Sequence, residues 1–171
     1  VYLDRLFNAG RDFDWGVIGA GVTPHDAQMR ALLGDQDWLT TVVEQSAEAS
    51  HARVTGVMTG FLSPENPQAM IARMSDPAIR IVSLTVTEGG YFVDPATGAF
   101  DAGHPAIRAD VASPDDPRTV FGMILAALRI SRAAATAPFT VLSCHNVPHN
   151  GRVTRNAVAG LAEAQDPGLA A

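Results

Sequence analysis

The sequence feature that most constrains the fold is an apolar stretch at residues 79–91, which reads IRIVSLTVTEGGY. Its first half is a nearly continuous run of aliphatic, mostly β-branched residues, the pattern of a strand covered on both faces of a sheet. The run stops at Thr87-Glu88, and two glycines follow. In open α/β sheets, ligands bind in the crevice beyond the carboxyl ends of the strands. We therefore expect the end of this strand to border a binding site.

Composition narrows the class of protein. The chain has 171 residues, 47% hydrophobic and 18% charged, which suits one domain with a sizeable core and excludes a disordered polymer. Twelve basic and eighteen acidic side chains give a net charge of −6, which argues against a nucleic-acid partner or an anionic membrane surface. The single cysteine, Cys144, cannot form an internal disulfide, and no apolar run reaches bilayer length. These features predict a cytoplasmic protein.

The order of apolar runs and turn residues predicts an α/β chain. Strands are predicted at 14–21, 38–44, 52–58, 79–86 and 139–144, the second and third forming a hairpin or adjacent pair. Helices are predicted at 1–8, 26–33, 64–74, 119–135 and 153–164, whereas 101–118 resembles a surface excursion with one short helical turn. This alternation favours a Rossmann-like, doubly wound, largely parallel sheet with helices on both faces.

Asp26 is the first candidate for a coenzyme-binding residue. A nucleotide-binding sheet places an acid just past its second strand, where it accepts hydrogen bonds from the adenosine ribose hydroxyls and disfavours a 2′-phosphate. The spacing alone favours a structural role, in which Asp26 caps a short helix, and the two roles are compatible. The nearby Gly19-Ala-Gly21 supplies only half of a dinucleotide-binding fingerprint, because no third glycine follows in register.

Two further candidates follow the predicted strands at 79–86 and 139–144. Glu88 stands beside two glycines, where a partly desolvated carboxylate has a raised pKa and relays protons, or else is hydrogen-bonded to loop backbone. Asn146 ends the second strand, where its amide either donates to a developing alkoxide or carbonyl oxygen or bonds its own turn. Asn150 is predicted to cap the last helix.

The histidines do not form a predicted metal site. His145 and His149 are four residues apart, but Pro148 between them excludes the helical pair that this spacing serves in zinc sites. Cys144 has no second thiol, and a Cys-His nucleophile on this strand is disfavoured against a structural role. The sequence therefore predicts no bound metal.

Two long motifs resemble the paired signatures of the mannitol dehydrogenase family. They are residues 79–91 (IRIVSLTVTEGGY) and 139–151 (FTVLSCHNVPHNG), and shorter matches lie at 14–16, 34–39, 117–122 and 153–156. The family comprises long-chain, metal-independent polyol dehydrogenases together with fructuronate reductase. The resemblance covers the amino-terminal, nucleotide-binding domain of that family. It implies NAD-dependent hydride transfer between a sugar alcohol such as D-mannitol and a ketose such as D-fructose, or a related sugar acid.

The resemblance also implies roles for particular residues. Asp26 falls at the acid that selects NAD, and Asn146 at the asparagine that helps to hold the reacting oxygen. Glu88 falls at a glutamate near the entrance and its proton path. Thr85 and Thr87 line the strand end beside the nicotinamide half of the coenzyme. The implied catalytic residues are thus Asn146 and Glu88, and the implied cofactor-binding residues are Asp26, Thr85, Thr87 and Asn146.

Three departures from the family pattern qualify these roles. The glycine-containing phosphate loop is expected upstream of Val1, and the helical domain that supplies a general acid/base lysine is expected downstream, so residues 1–171 are interpreted as an inactive coenzyme-binding part of a longer enzyme. His145 stands where relatives carry Asp, which alters the charge beside Asn146. A uronate reductase and a non-catalytic Rossmann-like interaction module are the alternatives. The sequence does not specify an oligomeric state.

Overall fold

The computed structural model describes residues 2–10, 14–94 and 97–170, with Glu88 described by its backbone only. The chain divides into two compact units, Val1–Asn66 and Pro67–Ala171. Each unit contains one pair of parallel strands, and these strands alternate with helices along the sequence. Among the described helices, none combines the length and the apolar character that crossing a membrane would require.

The first unit contains two strand pairs. Strand β1 pairs in parallel with β4, and β2 with β3 forms an antiparallel hairpin whose ladder runs from Thr40 opposite Thr55 to Gln45 opposite Ser50. The predicted hairpin is confirmed. The elements of this unit are α1 (Tyr2–Asn8), β1 (Val17–Ala20), α2 (Pro24–Gly34), β2 (Thr40–Gln45), β3 (Ser50–Thr55) and β4 (Met58–Leu62).

Strand β4 is absent from the sequence prediction, which extended a single strand to Met58. The structure breaks this segment at Gly56 and Val57, and the chain then pairs with β1 instead of β2. Thr59 and Gly60 conceal this strand in the sequence, because neither residue contributes to a continuous apolar pattern and glycine weakens a strand. The parallel β1–β4 pair ends with the Gly21 N–H donating to the Leu62 carbonyl, three residues before α2 begins.

The second unit holds the hydrophobic core. Its parallel pair is β5 with β6, with Leu84 opposite Ser143. Helices α5 and α6 supply much of the core, including Phe121, Ile124 and Leu161, all fully buried, as the strong apolar periodicity of α5 predicts. The elements are α3 (Pro67–Met74), β5 (Ile81–Leu84), a 3₁₀ turn (Glu88–Tyr91), α4 (Pro105–Ala112), α5 (Val120–Ala133), β6 (Thr140–Ser143), α6 (Asn150–Gln165) and α7 (Pro167–Ala170).

Strand β5 is covered on one face and not on both, so the predicted two-sided burial is wrong. Leu84 is 4% exposed, but Ile81 is 47% exposed and Ser83 is exposed as well. Side chains alternate between the two faces of a strand, and Ser83 shares a face with Ile81. The covered face is the one that carries Val82 and Leu84.

The segment at 101–118 is not a surface excursion. It contains the two-turn helix α4, in which Ile107 and Asp110 are completely buried. The Asp110 carboxylate accepts hydrogen bonds from the backbone N–H of Arg118 and from the backbone and hydroxyl of Thr119, the residue that begins α5. Asp and Pro suggested solvent exposure, but here the acid is buried because these donors satisfy it.

Candidate functional site

The carboxyl ends of β5 and β6 form one edge of the parallel pair. The ladder ends with Leu84 opposite Ser143, and the Cys144 N–H donates to the Leu84 carbonyl at 2.8 Å. Because parallel strands end at the same edge, the segments that carry Thr85 and Asn146 leave the sheet side by side. Thr85, Thr87 and Asn146 are exposed. The second unit therefore brings together the two segments that carry Thr85, Thr87 and Asn146.

The glycine turn after β5 is tightly folded. Residues Glu88–Tyr91 form a 3₁₀ turn in which the Gly90 N–H donates to the Thr87 carbonyl at 2.9 Å. The Glu88 side chain lies outside the described residues, so its predicted proton-relay role stays a prediction. The turn ends with Tyr91, whose side chain is 1% exposed and lies in the core.

Tyr91 makes a contact that the sequence analysis missed. Its hydroxyl lies 2.7 Å from the Ser143 hydroxyl, so a buried hydrogen bond joins the glycine turn to the end of β6. The Tyr91 ring also packs beside Phe121 and His145, with centroid distances of 5.6 and 6.2 Å. No local sequence signal identifies the partner of the Tyr91 hydroxyl, which lies 52 residues away.

The loop that carries Asn146 is bounded by Asn150. Asn150 was predicted to cap α6, and this is wrong: His149 occupies the capping position, in a left-handed conformation with φ 55° and ψ 37°. Asn150 is the first helical residue, and its side-chain amide donates to the carbonyls of Ser143 at 3.2 Å and His145 at 3.1 Å. The amide therefore holds the loop before Asn146 instead of the helix that follows it.

Asp26 lies in the first unit, in the first turn of α2. Thr23 begins the helix, and Asp26 Oδ2 accepts hydrogen bonds from the Thr23 N–H at 2.8 Å, the Thr23 hydroxyl at 2.9 Å and the Val22 N–H at 2.9 Å. This is the reciprocal contact of a capping box. The backbone hydrogen bond from Thr23 is the main cause that lowers the pKa of Asp26 below its ordinary value, and the hydroxyl of Thr23 and the Val22 N–H add to it.

The turn between β1 and Asp26 has no room for a side chain at Gly21. A Cβ built there would lie 2.5 Å from the Asp26 Cβ and 2.9 Å from the Pro64 Cδ. Gly21 is also hydrogen-bonded through its N–H to the Leu62 carbonyl at the end of β4. The predicted half-fingerprint glycine therefore has a structural reason, which is the close approach of the chain to the helix that carries Asp26.

The described residues contain no cluster of three or more His, Cys, Asp or Glu side chains that could hold a metal ion. Cys144 is exposed at the end of β6, and His145 is half-buried against the Tyr91 ring. The side chains described at the β5–β6 edge offer hydroxyl, amide, thiol and imidazole groups, which can exchange hydrogen bonds with a ligand.

Comparison with known proteins places these features in one family. The family model described as "Mannitol dehydrogenase Rossmann domain" matches residues 2–171. The chain is 59% identical over 171 residues to a mannitol 2-dehydrogenase of Cereibacter sphaeroides, covering 99% of this chain and 36% of that protein. It is 44% identical over 161 residues to a polyol:NADP oxidoreductase of Gluconobacter oxydans, covering 92% of this chain and 33% of that protein.

Solved structures agree with the sequence matches. The mannitol 2-dehydrogenase of Pseudomonas fluorescens, in a ternary complex with NAD and D-mannitol, superposes with a TM-score of 0.93 at 44% identity, covering 99% of this chain and 35% of that one. The chain thus spans about a third of the length of the relatives that it matches. These findings confirm the predicted Rossmann-type fold. The chain belongs to the mannitol dehydrogenase family, of which it represents the Rossmann domain.

Proposed function

We propose that this chain is the coenzyme-binding part of an NAD-dependent oxidoreductase that transfers a hydride between a polyol such as D-mannitol and a ketose such as D-fructose. The observation that carries the proposal is the close structural likeness, at a TM-score of 0.93, to a mannitol 2-dehydrogenase holding NAD and D-mannitol. The alignment of the β5 and β6 ends supports it, because α/β sheets bind their ligands beyond such ends.

Asp26, in the first unit, has an oxygen that can bind the adenosine ribose. All three hydrogen bonds that the described residues make to the Asp26 carboxylate fall on Oδ2. A carboxylate has about four acceptor positions over its two oxygens, so Oδ1 remains able to accept from ribose hydroxyls. The low pKa keeps Asp26 ionised at neutral pH, and the negative charge opposes a 2′-phosphate. Asp26 is therefore proposed to favour NAD over NADP.

The residues beyond β5 and β6 are proposed to act on the substrate and the nicotinamide. NAD, when bound, would accept the hydride that leaves the alcohol carbon of the substrate. Asn146 donates from its amide to the substrate oxygen as that oxygen gains negative charge, and Glu88 relays a proton at the entrance. Thr85 and Thr87 line the nicotinamide side of the same edge. The base that takes the alcohol proton is assigned to the helical domain that the family likeness implies outside this chain.

The first experiment measures coenzyme and substrate preference in the full-length protein that contains this chain. We expect D-mannitol oxidation with NAD, with a lower kcat/KM for NADP, and we expect Asp26→Ala to reduce that discrimination. D-fructuronate reduction is measured in parallel. A clear NADP preference in the unmodified protein, or an unchanged preference in Asp26→Ala, would contradict the role of Asp26. Higher activity on the uronate would contradict the proposed substrate class.

Asn146→Ala tests the oxygen-binding role. Removal of one preorganised oxyanion donor lowers turnover roughly tenfold to a thousandfold, because the charge that develops on oxygen loses its hydrogen bond. The measurement is kcat for D-mannitol oxidation at saturating NAD. Val147→Ala, at the next position in the same loop, is the control and should retain turnover within about threefold. Unchanged kcat in Asn146→Ala would remove Asn146 from the mechanism.

The proposed partners and location follow from composition. The net charge of −6 is unfavourable for nucleic acid and for anionic membrane surfaces, which leaves small polar substrates as the expected partners. The only cysteine in the sequence, Cys144, is consistent with a reducing compartment, and we propose a cytoplasmic location.

A further inference from the structure

We infer that Asn150 is a positioning residue for Asn146, and that its side-chain amide fixes the loop from which Asn146 reaches the substrate oxygen. This inference rests on the proposed function, since it matters only if Asn146 acts on the reacting oxygen. Asn150 does not contact substrate in this scheme. It acts through the peptide backbone that precedes Asn146.

The geometry around Asn150 is specific to an amide donor. Its Nδ2 lies 3.2 Å from the Ser143 carbonyl and 3.1 Å from the His145 carbonyl. An amide nitrogen carries two N–H groups, so one side chain satisfies both carbonyls. The His145 carbonyl belongs to the planar peptide group that ends at the Asn146 nitrogen. Holding that carbonyl therefore fixes the orientation of the peptide from which the Asn146 side chain projects.

Asn150 is itself anchored to α6. Its carbonyl accepts a hydrogen bond of 2.8 Å from the Thr154 hydroxyl, one helical turn later, and Thr154 is buried. The amide is half-buried, so water competes weakly for its hydrogen bonds. The amide thus ties the loop to the first turn of a helix that packs against the core through Leu161.

The start of the same loop, where it leaves β6, is also held. The Tyr91 hydroxyl is hydrogen-bonded to the Ser143 hydroxyl at 2.7 Å, and the Cys144 N–H donates to Leu84 at 2.8 Å. Residues 143–145 are therefore fixed by the glycine turn, by strand β5 and by Asn150. Of these three attachments, only the Asn150 amide holds the His145 carbonyl, which also accepts from the Val147 N–H of the same loop at 3.0 Å. Its loss is expected to displace Asn146 without detaching the loop from the sheet.

The test compares Asn150→Ala and Asn150→Asp in the full-length protein. Both variants lose the two N–H donors, and Asn150→Asp preserves the side-chain shape if the smaller residue compromises folding. A displacement of about 1 Å in a positioning group lowers rates by as much as about a hundredfold, so we expect kcat/KM for D-mannitol to fall about tenfold to a hundredfold. Asn156→Ala is the matched control: Asn156 is a half-buried asparagine of α6 that donates to the Gly98 carbonyl, and its loss should leave kcat/KM within about threefold.

A double-mutant cycle with Asn146→Ala separates positioning from general structural damage. If Asn150 acts through Asn146, then Asn150→Ala adds less than about threefold to the loss already caused by Asn146→Ala. The isotope effect on kcat/KM with mannitol deuterated at the oxidised carbon gives a second readout. It should rise in Asn150→Ala as hydride transfer becomes slower, whereas a smaller fraction of folded protein leaves it unchanged.

The outcomes distinguish the inference from the proposed function. If the unmodified protein fails to oxidise any polyol, the proposed function is overturned. If the unmodified protein is active and Asn146→Ala is impaired, but Asn150→Ala and Asn150→Asp match Asn156→Ala, only the role of Asn150 is overturned. Fully multiplicative losses in the double variant, with an unchanged isotope effect, also overturn that role.

Discussion

Asp26 carries a structural and a proposed functional role on one carboxylate. Its Oδ2 closes the first turn of α2 through Thr23 and Val22, and its Oδ1 is the atom proposed for the ribose. Sequence spacing suggested both roles, since an acid near a helix start fits either. The structure adds that Asp26 is the third residue of the helix and that Thr23 is the capping residue.

The lowered pKa of Asp26 predicts a pH-dependent contribution to stability. The pKa of 3.8 expected for the unfolded chain is higher than that of the folded state, so the stabilisation is complete above about pH 4 and is lost as pH falls through the folded-state pKa. Asp26→Asn keeps an acceptor oxygen but removes the charge. We expect the unmodified protein to be more stable than Asp26→Asn at pH 6, with the difference shrinking below pH 4.

Urea unfolding of both proteins between pH 3 and pH 6 measures this difference. Other carboxylates titrate in both proteins, so only the change in the difference reports on Asp26. Asp35→Asn, which neutralises an exposed acid at the other end of α2, is the control for the loss of one carboxylate from this helix. A gap for Asp26→Asn that stays constant down to pH 3 would argue that the charge on Asp26 does not stabilise the helix.

Residues that act within a few positions were more predictable than residues that act across the chain. Asn146 was identified because it directly follows an apolar strand, and the structure places it at the β5–β6 edge. Asn150 was assigned to the wrong partner, because an asparagine at a helix start ordinarily caps that helix. The acceptors of the Asn150 amide lie at the end of β6. The Tyr91 hydroxyl, in the turn that follows β5, is hydrogen-bonded to Ser143. Such contacts depend on tertiary packing, which no local pattern encodes.

At the scale of elements, the junction between α4 and α5 depends on one buried acid. Asp110 satisfies the backbone N–H groups of Arg118 and Thr119, and its own backbone carbonyl accepts from Gln165 of α6. Asp110→Ala leaves these donors without a partner in the interior. We expect a loss of about 3 kcal/mol in the free energy of unfolding, because an unsatisfied buried donor costs about 1–3 kcal/mol.

Chemical denaturation of Asp110→Ala measures this loss. Asp116→Ala is the matched control, since Asp116 pairs with Arg118 in an exposed salt bridge and lies six residues further along the chain. Such surface pairs contribute about 0–1 kcal/mol. Equal losses in the two variants would contradict the argument that burial of the hydrogen bonds, and not the acidic side chain as such, stabilises the junction.

Two glycines of α6 provide an internal comparison of packing. A Cβ at Gly160 would overlap the Phe100 ring, whereas a Cβ at Gly151 would meet nothing within 4 Å. Gly160→Ala is expected to lower the free energy of unfolding by about 1–2 kcal/mol through overpacking. Gly151→Ala is expected to raise it by about 0.5 kcal/mol, since alanine reduces the conformational freedom of the unfolded chain. Thermal and urea unfolding measure the sign of each change in the free energy of unfolding. Stabilisation by both substitutions would exclude a close contact at Gly160.

The elements were predicted well where apolar residues are continuous and poorly where they are interrupted. Helix α5 and strand β6 match their predictions within a few residues, because both have long apolar patterns. Strand β4 contains Thr59 and Gly60, and helix α4 contains Asp110. These residues interrupt the apolar pattern, so the strand was not predicted from the sequence and the helix was predicted only as a short turn. In both cases the tertiary partners, β1 and the start of α5, stabilise an element whose local sequence is ambiguous.

At the scale of the whole molecule, the two units differ in the depth of their cores. All the buried apolar side chains of the described residues belong to Pro67–Ala171, whereas the buried polar side chains of the first unit are Asp4 and Thr55. Local opening is easier where few apolar contacts must be broken. The two units are therefore expected to differ in local stability even though both contain paired strands.

Native-state hydrogen exchange tests this difference. We expect the slowest amides in α5, β6 and α6 and faster exchange in the β2–β3 hairpin, although the hairpin has a complete ladder of six opposed residue pairs. The hairpin serves as the control for hydrogen bonding alone, because its amides are paired but its strands are mostly exposed. Uniform protection across both units would contradict the dependence of local stability on apolar burial.

The structural role of Asp26, together with its proposed role in binding the ribose, restricts how a protein of this kind could evolve a different coenzyme preference. A neutral aliphatic residue at this position would remove the negative charge and, at the same moment, free the Val22 and Thr23 donors at the start of α2. Asparagine retains an acceptor oxygen at the same distance from the backbone and therefore offers the mutational route of least damage. Substitution of Gly21 is also excluded, because a Cβ at this position would collide with Asp26 and Pro64. Adaptation toward NADP is consequently expected to pass through polar intermediates, with the helix preserved at every step.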